Sequence, residues 1–248
     1  MSENPQDGSR PTVVLVHGAF ADASGWNDVI ERLQAEGVEA TAPANPLRGI
    51  SVDAAYINSL LGQIPGPVIA VGHSYGGAVI TDADNVVGLV YVAAFAPDEG
   101  ETLGGIESDS KDSVLNSALM QLQYPTGEGT ETAVEFAIDP AKYHDAFAAD
   151  LPSEQTAVMA ATQRPVAELA FSEPSGEPAW KKLPSWSVVP TGDRAAGSDV
   201  VRSMAERAGA EITEAEGSHV IMMSQPQAVA DVILTAAAAA QEEPQKTR

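Results

Sequence analysis

The sequence contains no cysteine, so disulfide bonds, thiolate catalysis and cysteine-ligated zinc sites are excluded. Basic residues are scarce: the chain has 13 Lys and Arg against 35 Asp and Glu, a formal net charge of −22. A field of that sign repels nucleic-acid phosphates and anionic lipid, so we expect neither as a partner. We interpret the acidity as a feature that keeps the protein in solution.

Long apolar runs are also missing. No stretch approaches the ~20 apolar residues of a membrane span, and the alanine run from Ala236 to Ala240 is too short. The first residues, MSENPQDGSRP, lack the apolar core of a signal peptide. We therefore expect a cytoplasmic protein with no membrane partner, while the oligomeric state stays open.

What the sequence does contain is an alternation of two patterns. Apolar runs such as TVVLVHG from Thr12 are continuous, which is typical of strands buried on both faces. Segments with apolar residues at helical spacing follow them, as with Trp26, Val29 and Leu33. This alternation predicts an α/β fold with about six mainly parallel strands flanked by helices.

The alternation stops between residues 98 and 182, where the sequence is acidic, interrupted by prolines and mainly helical in pattern. We interpret residues 1–97 and 183–248 as the core domain and residues 98–182 as a helical cap inserted after the fourth strand. Within the core, VEATAPA (residues 38–44) is predicted as the second strand. Ser51 is predicted as the N-cap of the second helix.

Residues 72–76 read Gly-His-Ser-Tyr-Gly, between a predicted strand and a predicted helix. G-x-S-x-G in that context is typical of a turn that presents a nucleophile, here Ser74, because its glycines leave room for a sharp bend. The phosphate-loop patterns GxxxxGK[ST] and GxGxxG are both absent. A glycine-rich turn with an incidental serine is the alternative interpretation of this motif alone.

The segment HGAF, residues 17–20, follows the first predicted strand directly. A tetrahedral intermediate needs two preorganised N–H donors for its oxyanion. We predict that these are the backbone amides of Ala19 and of Tyr75, the residue after Ser74. On its own, the segment is equally consistent with a tight turn shaped by His17 and Gly18.

Two more polar residues follow later strands: Asp193 in VVPTGDRA and His219 in AEGSHVIMM. Because parallel strands end at one edge of a sheet, we expect both side chains at the same edge as Ser74. The order Ser, Asp, His is the one that accompanies a G-x-S-x-G nucleophile. Asp199 is the nearest substitute for Asp193, but we expect it to cap the helix that follows.

These motifs resemble those of the α/β-hydrolase family. VLVHGAF, VGHSYGG, VYVAAFAP, TGDRA and GSHVIMM look like the subgroup of small bacterial esterases, plant methyl-ester esterases and hydroxynitrile lyases. The resemblance implies Ser74 as nucleophile, His219 as general base and then acid, and Asp193 as its orienting carboxylate. It also implies Ala19 and Tyr75 as oxyanion donors, and no metal or organic cofactor.

Three positions distinguish branches of the resembled family. Related lyases carry threonine in place of Gly18 and lysine directly after the catalytic histidine, where this chain has Val220, so hydrolysis is favoured. Related dehalogenases and epoxide hydrolases use an aspartate nucleophile, which Ser74 argues against. Many relatives carry Ile-Pro or Val-Pro shortly after the acid, whereas DRAAGSD here predicts a looser loop around Asp193.

The substrate pocket is expected between the sheet edge and the cap, lined by Phe20, Tyr75, Phe95, Met120, Leu122, Met159 and Val220. The cap has no cluster of Arg or Lys to recognise a carboxylate or phosphate. We therefore predict a serine carboxylesterase acting on small neutral, mainly apolar esters or lactones through an acyl-enzyme. A lactonase, carbon–carbon hydrolase or perhydrolase with the same triad, or a ligand receptor without turnover, are the alternatives.

Overall fold

The computed structural model describes residues 10–127 and 129–242, with the backbone alone described for residue 242. The strands in chain order are β1 (Thr12–Val16), β2 (Ala40–Thr41), β3 (Val68–His73), β4 (Gly88–Val92), β5 (Leu119–Pro125), β6 (Thr132–Ile138), β7 (Val166–Ala167), β8 (Ser185–Pro190) and β9 (Glu211–Ala215). The α-helices are α1 (Asn27–Ala35), α2 (Ile50–Leu61), α3 (Tyr75–Thr81), α4 (Leu103–Ser108), α5 (Leu115–Ala118), α6 (Pro140–Phe147), α7 (Ser153–Thr162), α8 (Leu169–Ser172), α9 (Ser198–Arg207), α10 (Ile221–Ser224) and α11 (Pro226–Glu242).

Six strands form one parallel sheet in the order β2-β1-β3-β4-β8-β9. The four central strands are buried along their whole length, whereas the edge strands β2 and β9 are partly exposed. Continuous burial is what the apolar runs predict for strands covered by helices on both faces. The predicted α/β architecture with six parallel strands is confirmed.

Two local expectations in the core are wrong. The second strand is confined to Ala40 and Thr41, because Pro43 and Pro46 follow and proline has no N–H to donate to a neighbouring strand. Helix α2 begins one residue before Ser51, whose hydroxyl donates to the carboxylate of Glu173 at 2.5 Å instead of capping the helix.

Between β4 and β8 the chain forms a second unit, which we call the cap. It contains a three-stranded sheet in the order β5-β6-β7, in which both pairings are antiparallel, together with helices α4 to α8. The expectation of a mainly helical cap is therefore wrong for residues 119–138. The sequence of β6, TAVEFAI, is rich in β-branched and aromatic residues, which favour strands once a partner lies beside them.

The cap is attached to the loop that follows β2. The backbone amide of Ala167 in β7 donates to the carbonyl oxygen of Leu47 at 3.0 Å. The guanidinium of Arg48 forms an ion pair with Glu135 at 2.7 Å and lies 4.2 Å above the ring of Tyr124. These contacts hold the cap against the sheet edge. Across the described ranges, no helix combines the length and apolar character that a bilayer crossing requires.

Candidate active site

Five segments leave the carboxyl ends of β1, β3, β4, β8 and β9 at one edge of the sheet: residues 17–20, 74–75, 93–97, 191–197 and 216–220. In open α/β sheets this edge is where ligands bind. The sheet order puts the segment after β3 between those after β1 and β4. All residues that the sequence predicts as catalytic or as oxyanion donors lie on these segments.

Ser74 is held in a strained backbone conformation, with φ +53° and ψ −124°. Such positive φ values are costly for a residue with a Cβ and persist only where the surroundings enforce them. Here the Ser74 amide donates to the carbonyl of Val92 at 3.3 Å. Its carbonyl accepts from the amides of Gly77 at 2.9 Å and Phe95 at 3.2 Å. The turn is therefore fixed on both sides of the serine.

The glycines around Ser74 are required by close contacts. A Cβ on Gly76 would lie 2.3 Å from the backbone oxygen of Val16, and one on Gly72 would lie 2.5 Å from the backbone oxygen of Gly76. A Cβ on Gly18 would lie 2.6 Å from the Cβ of Ser74. The spacing G-x-S-x-G thus reflects the tight packing of α3 against β1 and β3.

We expect Gly76→Ala to lower the free energy of unfolding by about 3 kcal/mol or more, because backbone has to move to admit the methyl group. Gly62→Ala is the matched control, since its Cβ would meet the nearest oxygen at an ordinary 3.4 Å. Urea unfolding of both variants is the measurement. Equal stabilities would contradict the packing explanation of the motif.

Asp193 and His219 form a buried pair, with Nδ1 of the imidazole 2.7 Å from Oδ2 of the carboxylate and both side chains almost fully buried. The other carboxylate oxygen, Oδ1, accepts from the amides of Ala195 at 2.9 Å and Ala196 at 3.0 Å. With Nδ1–H donated to Asp193, the neutral imidazole has its free lone pair on Nε2. The arrangement thus sets the tautomer that a general base requires.

The loop around Asp193 is braced by the cap, so the expectation of a looser loop is wrong. The hydroxyl of Ser113 donates to the carbonyl of Ala195 at 2.6 Å. The amide of Val114 donates to the carbonyl of Arg194 at 2.8 Å. These bonds replace the stiffness that proline would have supplied.

Asp199 is also engaged by the cap, in addition to backbone amides in the first turn of its own helix. Its carboxylate accepts from the hydroxyl of Ser110 at 2.6 Å and from the amide of Lys111 at 2.8 Å. Helix α9 begins at Ser198 with Gly197 at the N-cap position, so the prediction that Asp199 caps this helix is wrong. With both oxygens bound to the cap, Asp199 is no substitute for Asp193.

Two further buried histidines support the site, a role that the sequence analysis missed. Nε2–H of His73 donates to the carbonyl of His219 at 2.9 Å, and Nδ1–H of His17 donates to that of Gly18 at 2.9 Å. Nε2 of His17 accepts from the amide of Asn45 at 2.9 Å. Burial lowers the pKa of His17, and that of His73 well below its ordinary value. Both imidazoles are therefore neutral. His73 supports the loop after β9, and His17 supports the loop after β1.

The amides of Ala19 and Tyr75 have no hydrogen-bond partner among residues 10–127 and 129–242. The next amide, that of Phe20, is occupied by the carbonyl of Arg164 at 3.1 Å, and Phe20 has φ +60°. Within these ranges, the imidazole of His219 is bound to Asp193, and no hydrogen bond joins it to the Ser74 hydroxyl. Serine–histidine bonds of this kind are often long before substrate binds.

A narrow pocket that is partly open to solvent, which we call the Ser74 cavity, brings these groups together. Its wall is almost entirely apolar, and the Tyr75 hydroxyl is turned away to donate to Asp53 at 2.7 Å. The lining residues are Ala19, Phe20, Ser74, Tyr75, Phe95, Leu103, Leu115, Phe147, Phe171, Ala195, Ala196 and His219.

The sequence profile of the alpha/beta hydrolase family matches residues 13–232. The chain belongs to the alpha/beta hydrolase family. Among curated proteins, it is similar to the carbendazim hydrolyzing esterase of Nocardioides sp. (strain SG-4G), with 36% identity over 107 residues, covering 36% of this chain and 44% of that protein. The match therefore spans less than half the length of this curated relative.

Solved structures share the fold of this alpha/beta hydrolase. Polyneuridine aldehyde esterase matches with a TM-score of 0.77 and 20% identity, covering 92% of this chain and 99% of that chain. The methylesterase MES16 from Arabidopsis matches with a TM-score of 0.74 and 22% identity, covering 92% and 99%. A pyrethroid hydrolase from Sphingobium faniae JZ-2 matches with a TM-score of 0.73 and 20% identity, covering 95% and 100%.

The cap side of the Ser74 cavity differs from the sequence prediction for this alpha/beta hydrolase. Met120 and Leu122 lie on β5 and do not line the cavity, and Leu122 is exposed. The cap walls are instead Leu103, Leu115, Phe147 and Phe171. Phe147 in helix α6 and Phe171 in helix α8 are aromatic. Their aromatic side chains are the sequence feature that could have indicated these two wall residues.

Met159 and Val220, also predicted for the pocket, line a second cleft, which is more open to solvent than the Ser74 cavity. Of the residues around the two spaces, Phe20 alone borders both. The second cleft is lined by Phe20, Ala21, Asp22, Ser24, Gly25, Tyr143, Met159, Thr162, Gln163, Val220, Met222 and Met223.

Proposed function

We propose that this protein is a serine carboxylesterase that cleaves small neutral esters with an apolar acyl group. The observation that carries the proposal is the buried Asp193–His219 pair, whose His219 borders the same apolar cavity as the strained turn of Ser74. The curated relative is named as an esterase that hydrolyses carbendazim, which supports an ester-type carbonyl as the target.

In the first half of the proposed reaction, the Ser74 oxygen attacks the ester carbonyl while Nε2 of His219 takes the hydroxyl proton. The carbonyl oxygen becomes an oxyanion, which accepts hydrogen bonds from the amides of Ala19 and Tyr75. The carbon–oxygen bond to the alcohol then breaks, and His219 gives its proton to the departing alcohol oxygen. The acyl group remains esterified to Ser74.

In the second half, a water molecule attacks the acyl-enzyme and His219 takes one of its protons. Collapse of the intermediate returns that proton to the Ser74 oxygen and releases the carboxylic acid. Asp193 stays ionised throughout, holds Nδ1–H at 2.7 Å and stabilises the imidazolium that forms twice per cycle. The protons and bonds balance without a cofactor.

The proposed preference for apolar acyl groups follows from the Ser74 cavity. Leu103, Leu115, Phe147 and Phe171 supply an apolar cap wall, and no Lys or Arg of the described part of the chain lines the cavity. A substrate carboxylate buried there would lose its hydration without gaining an ionic partner, which costs several kcal/mol.

We expect kcat/KM to be at least about 100-fold lower for the monoanion of monomethyl succinate than for methyl butanoate. Dimethyl succinate is the matched control, because it has a similar length without the charge, and its kcat/KM should stay within about tenfold of that for methyl butanoate. The measurement is initial rates by pH-stat at neutral pH. Similar kcat/KM values for the anion and for dimethyl succinate would contradict the apolar assignment.

The same rate measurements, extended to other substrates, distinguish an esterase from the other activities that this triad could support. Adding γ-butyrolactone, a β-diketone, and acetate with hydrogen peroxide tests lactonase, carbon–carbon hydrolase and perhydrolase activity respectively. A receptor without turnover would hydrolyse none of these compounds. The proposal requires that the open-chain neutral esters give the highest kcat/KM.

A further inference from the structure

We propose that the second cleft binds the departing alcohol of the substrate, and that Phe20 is the partition that separates it from the Ser74 cavity. This inference rests on the proposed esterase function and names where each half of the ester lies. The ligand class is a neutral alcohol with an aromatic ring, such as a benzyl or phenyl group.

The position of the second cleft agrees with the direction in which the alcohol leaves. Val220, on its wall, directly follows His219, the residue that would protonate the departing oxygen. Phe20 and Ala21, which also line the cleft, directly follow Ala19, the proposed oxyanion donor. With an ester carbonyl held between Ala19 and His219, the acyl half would lie in the Ser74 cavity, and the alcohol half would reach the second cleft past the ring of Phe20, which lines both spaces.

Phe20 is fixed firmly enough to act as a partition. Its amide donates to the carbonyl of Arg164 at 3.1 Å, and its carbonyl accepts from the hydroxyl of Tyr143 at 2.9 Å. Its ring meets the ring of Phe147 edge-on, with centroids 6.3 Å apart. Two cap residues thus hold the backbone of Phe20, and a third packs against its ring.

The walls of the second cleft indicate the kind of alcohol. Three of its residues, Met159, Met222 and Met223, are methionines. Methionine side chains adapt their shape and make favourable sulfur contacts with aromatic rings. Asp22, whose carboxylate accepts from the amide of Ser24 at 2.7 Å, is one of the polar lining residues, and its negative charge disfavours an anionic leaving group. A neutral aromatic alcohol fits both features.

Binding can be tested without catalysis, because the cleft contains three of the six methionines of the chain. Protein labelled with ¹³C at the methionine methyl groups is titrated with benzyl alcohol, and the methyl resonances are followed by NMR. We expect ring-current shifts at Met159, Met222 and Met223, with Met120 and Met204 unchanged as internal controls. Shifts confined to the controls, or uniform across all of them, would overturn the assignment.

A kinetic experiment tests the same site through specificity. Thr162→Trp places an indole at the cleft from the end of α7, where Thr162 is exposed. We expect the ratio of kcat/KM for benzyl acetate to that for methyl acetate to fall about tenfold or more, as burial of the benzyl ring is lost. Val158→Trp is the matched control, because Val158 is an exposed α7 residue outside the cleft, and it should leave the ratio unchanged.

The outcomes separate this inference from the function on which it rests. An unchanged ratio in Thr162→Trp, or an equal loss for both acetates, overturns the second cleft as the alcohol site. If the wild-type protein hydrolyses neither acetate, the esterase proposal fails, and the NMR titration still reports whether the cleft binds an aromatic alcohol. If Thr162→Trp does not fold, the titration decides alone.

Discussion

Replacing Ser74 with alanine is expected to lower kcat/KM for methyl butanoate by about 10,000-fold or more, because no other group can then form the acyl-enzyme. The fold should be unaffected. Alanine keeps the Cβ and hence the same strain at φ +53°, and the hydrogen bonds that fix this turn come from the backbone. The loss is therefore one of chemistry and not of structure.

Three measurements check this result: kcat/KM by pH-stat, labelling by a fluorophosphonate followed by intact mass, and urea unfolding. Wild type should gain one phosphonyl group and Ser74→Ala none. Ser74→Gly is the matched control, because it removes the hydroxyl and also relieves the positive-φ strain, worth about 1–3 kcal/mol. The Ser74→Gly variant should be as inactive as Ser74→Ala, and its free energy of unfolding should be higher. Labelling of Ser74→Ala, or retention of a tenth of the activity, would refute the nucleophile.

The sheet and the place of the site were predictable because they depend on local patterns. Continuous apolar runs indicate buried parallel strands, and parallel strands end at one edge. Ser74 and Asp193 each follow such a run in the sequence, and His219 follows a predicted strand in which polar residues interrupt the apolar ones. Once the strands are recognised, their order along the chain is enough to expect these three side chains on one side of the sheet.

The cap was predicted less well because its structure depends on contacts distant in sequence. Leu119–Pro125 becomes a strand only by pairing with Thr132–Ile138, and four residues of α5 directly before it are helical. The bond from Ser51 to Glu173 joins positions 122 residues apart. No local pattern encodes such partners, and the same holds for the hydrogen bond of His73 to His219.

Phe20, Tyr75 and Phe95, which were predicted for the pocket, do line the Ser74 cavity, but its cap residues could not be assigned for a related reason. Apolar residues of a small cap are chemically equivalent in the sequence, whether they face the cavity, the core or solvent. Met120 and Leu122 were as plausible as Leu103 and Leu115 until the strand β5 and its register were known. The partition of the pocket by Phe20 depends on the cap in the same way, since Arg164 and Tyr143 hold it.

Asp193→Asn is expected to lower kcat/KM for methyl butanoate by about 1,000- to 10,000-fold while leaving the protein folded. The amides of Ala195 and Ala196 both donate to Oδ1 of Asp193, so an asparagine must place its oxygen there. Its NH₂ group then points at Nδ1 of His219, which has to accept a hydrogen bond. The imidazole proton moves to Nε2, the nitrogen that would have to accept the Ser74 proton, and the base is lost.

Asp199→Asn is the matched control for this prediction, because it removes a carboxylate six positions along the chain that binds Ser110 and Lys111 instead of the imidazole. It should change kcat/KM by less than about threefold, since its effect on the site is confined to surface contacts of the cap. Urea unfolding of both variants separates a lost base from a lost fold. A larger loss of kcat/KM in Asp199→Asn than in Asp193→Asn would assign the orienting carboxylate to Asp199 and require the loop to rearrange when substrate binds. Equal, small losses in both would contradict the role of Asp193 as the carboxylate that orients His219.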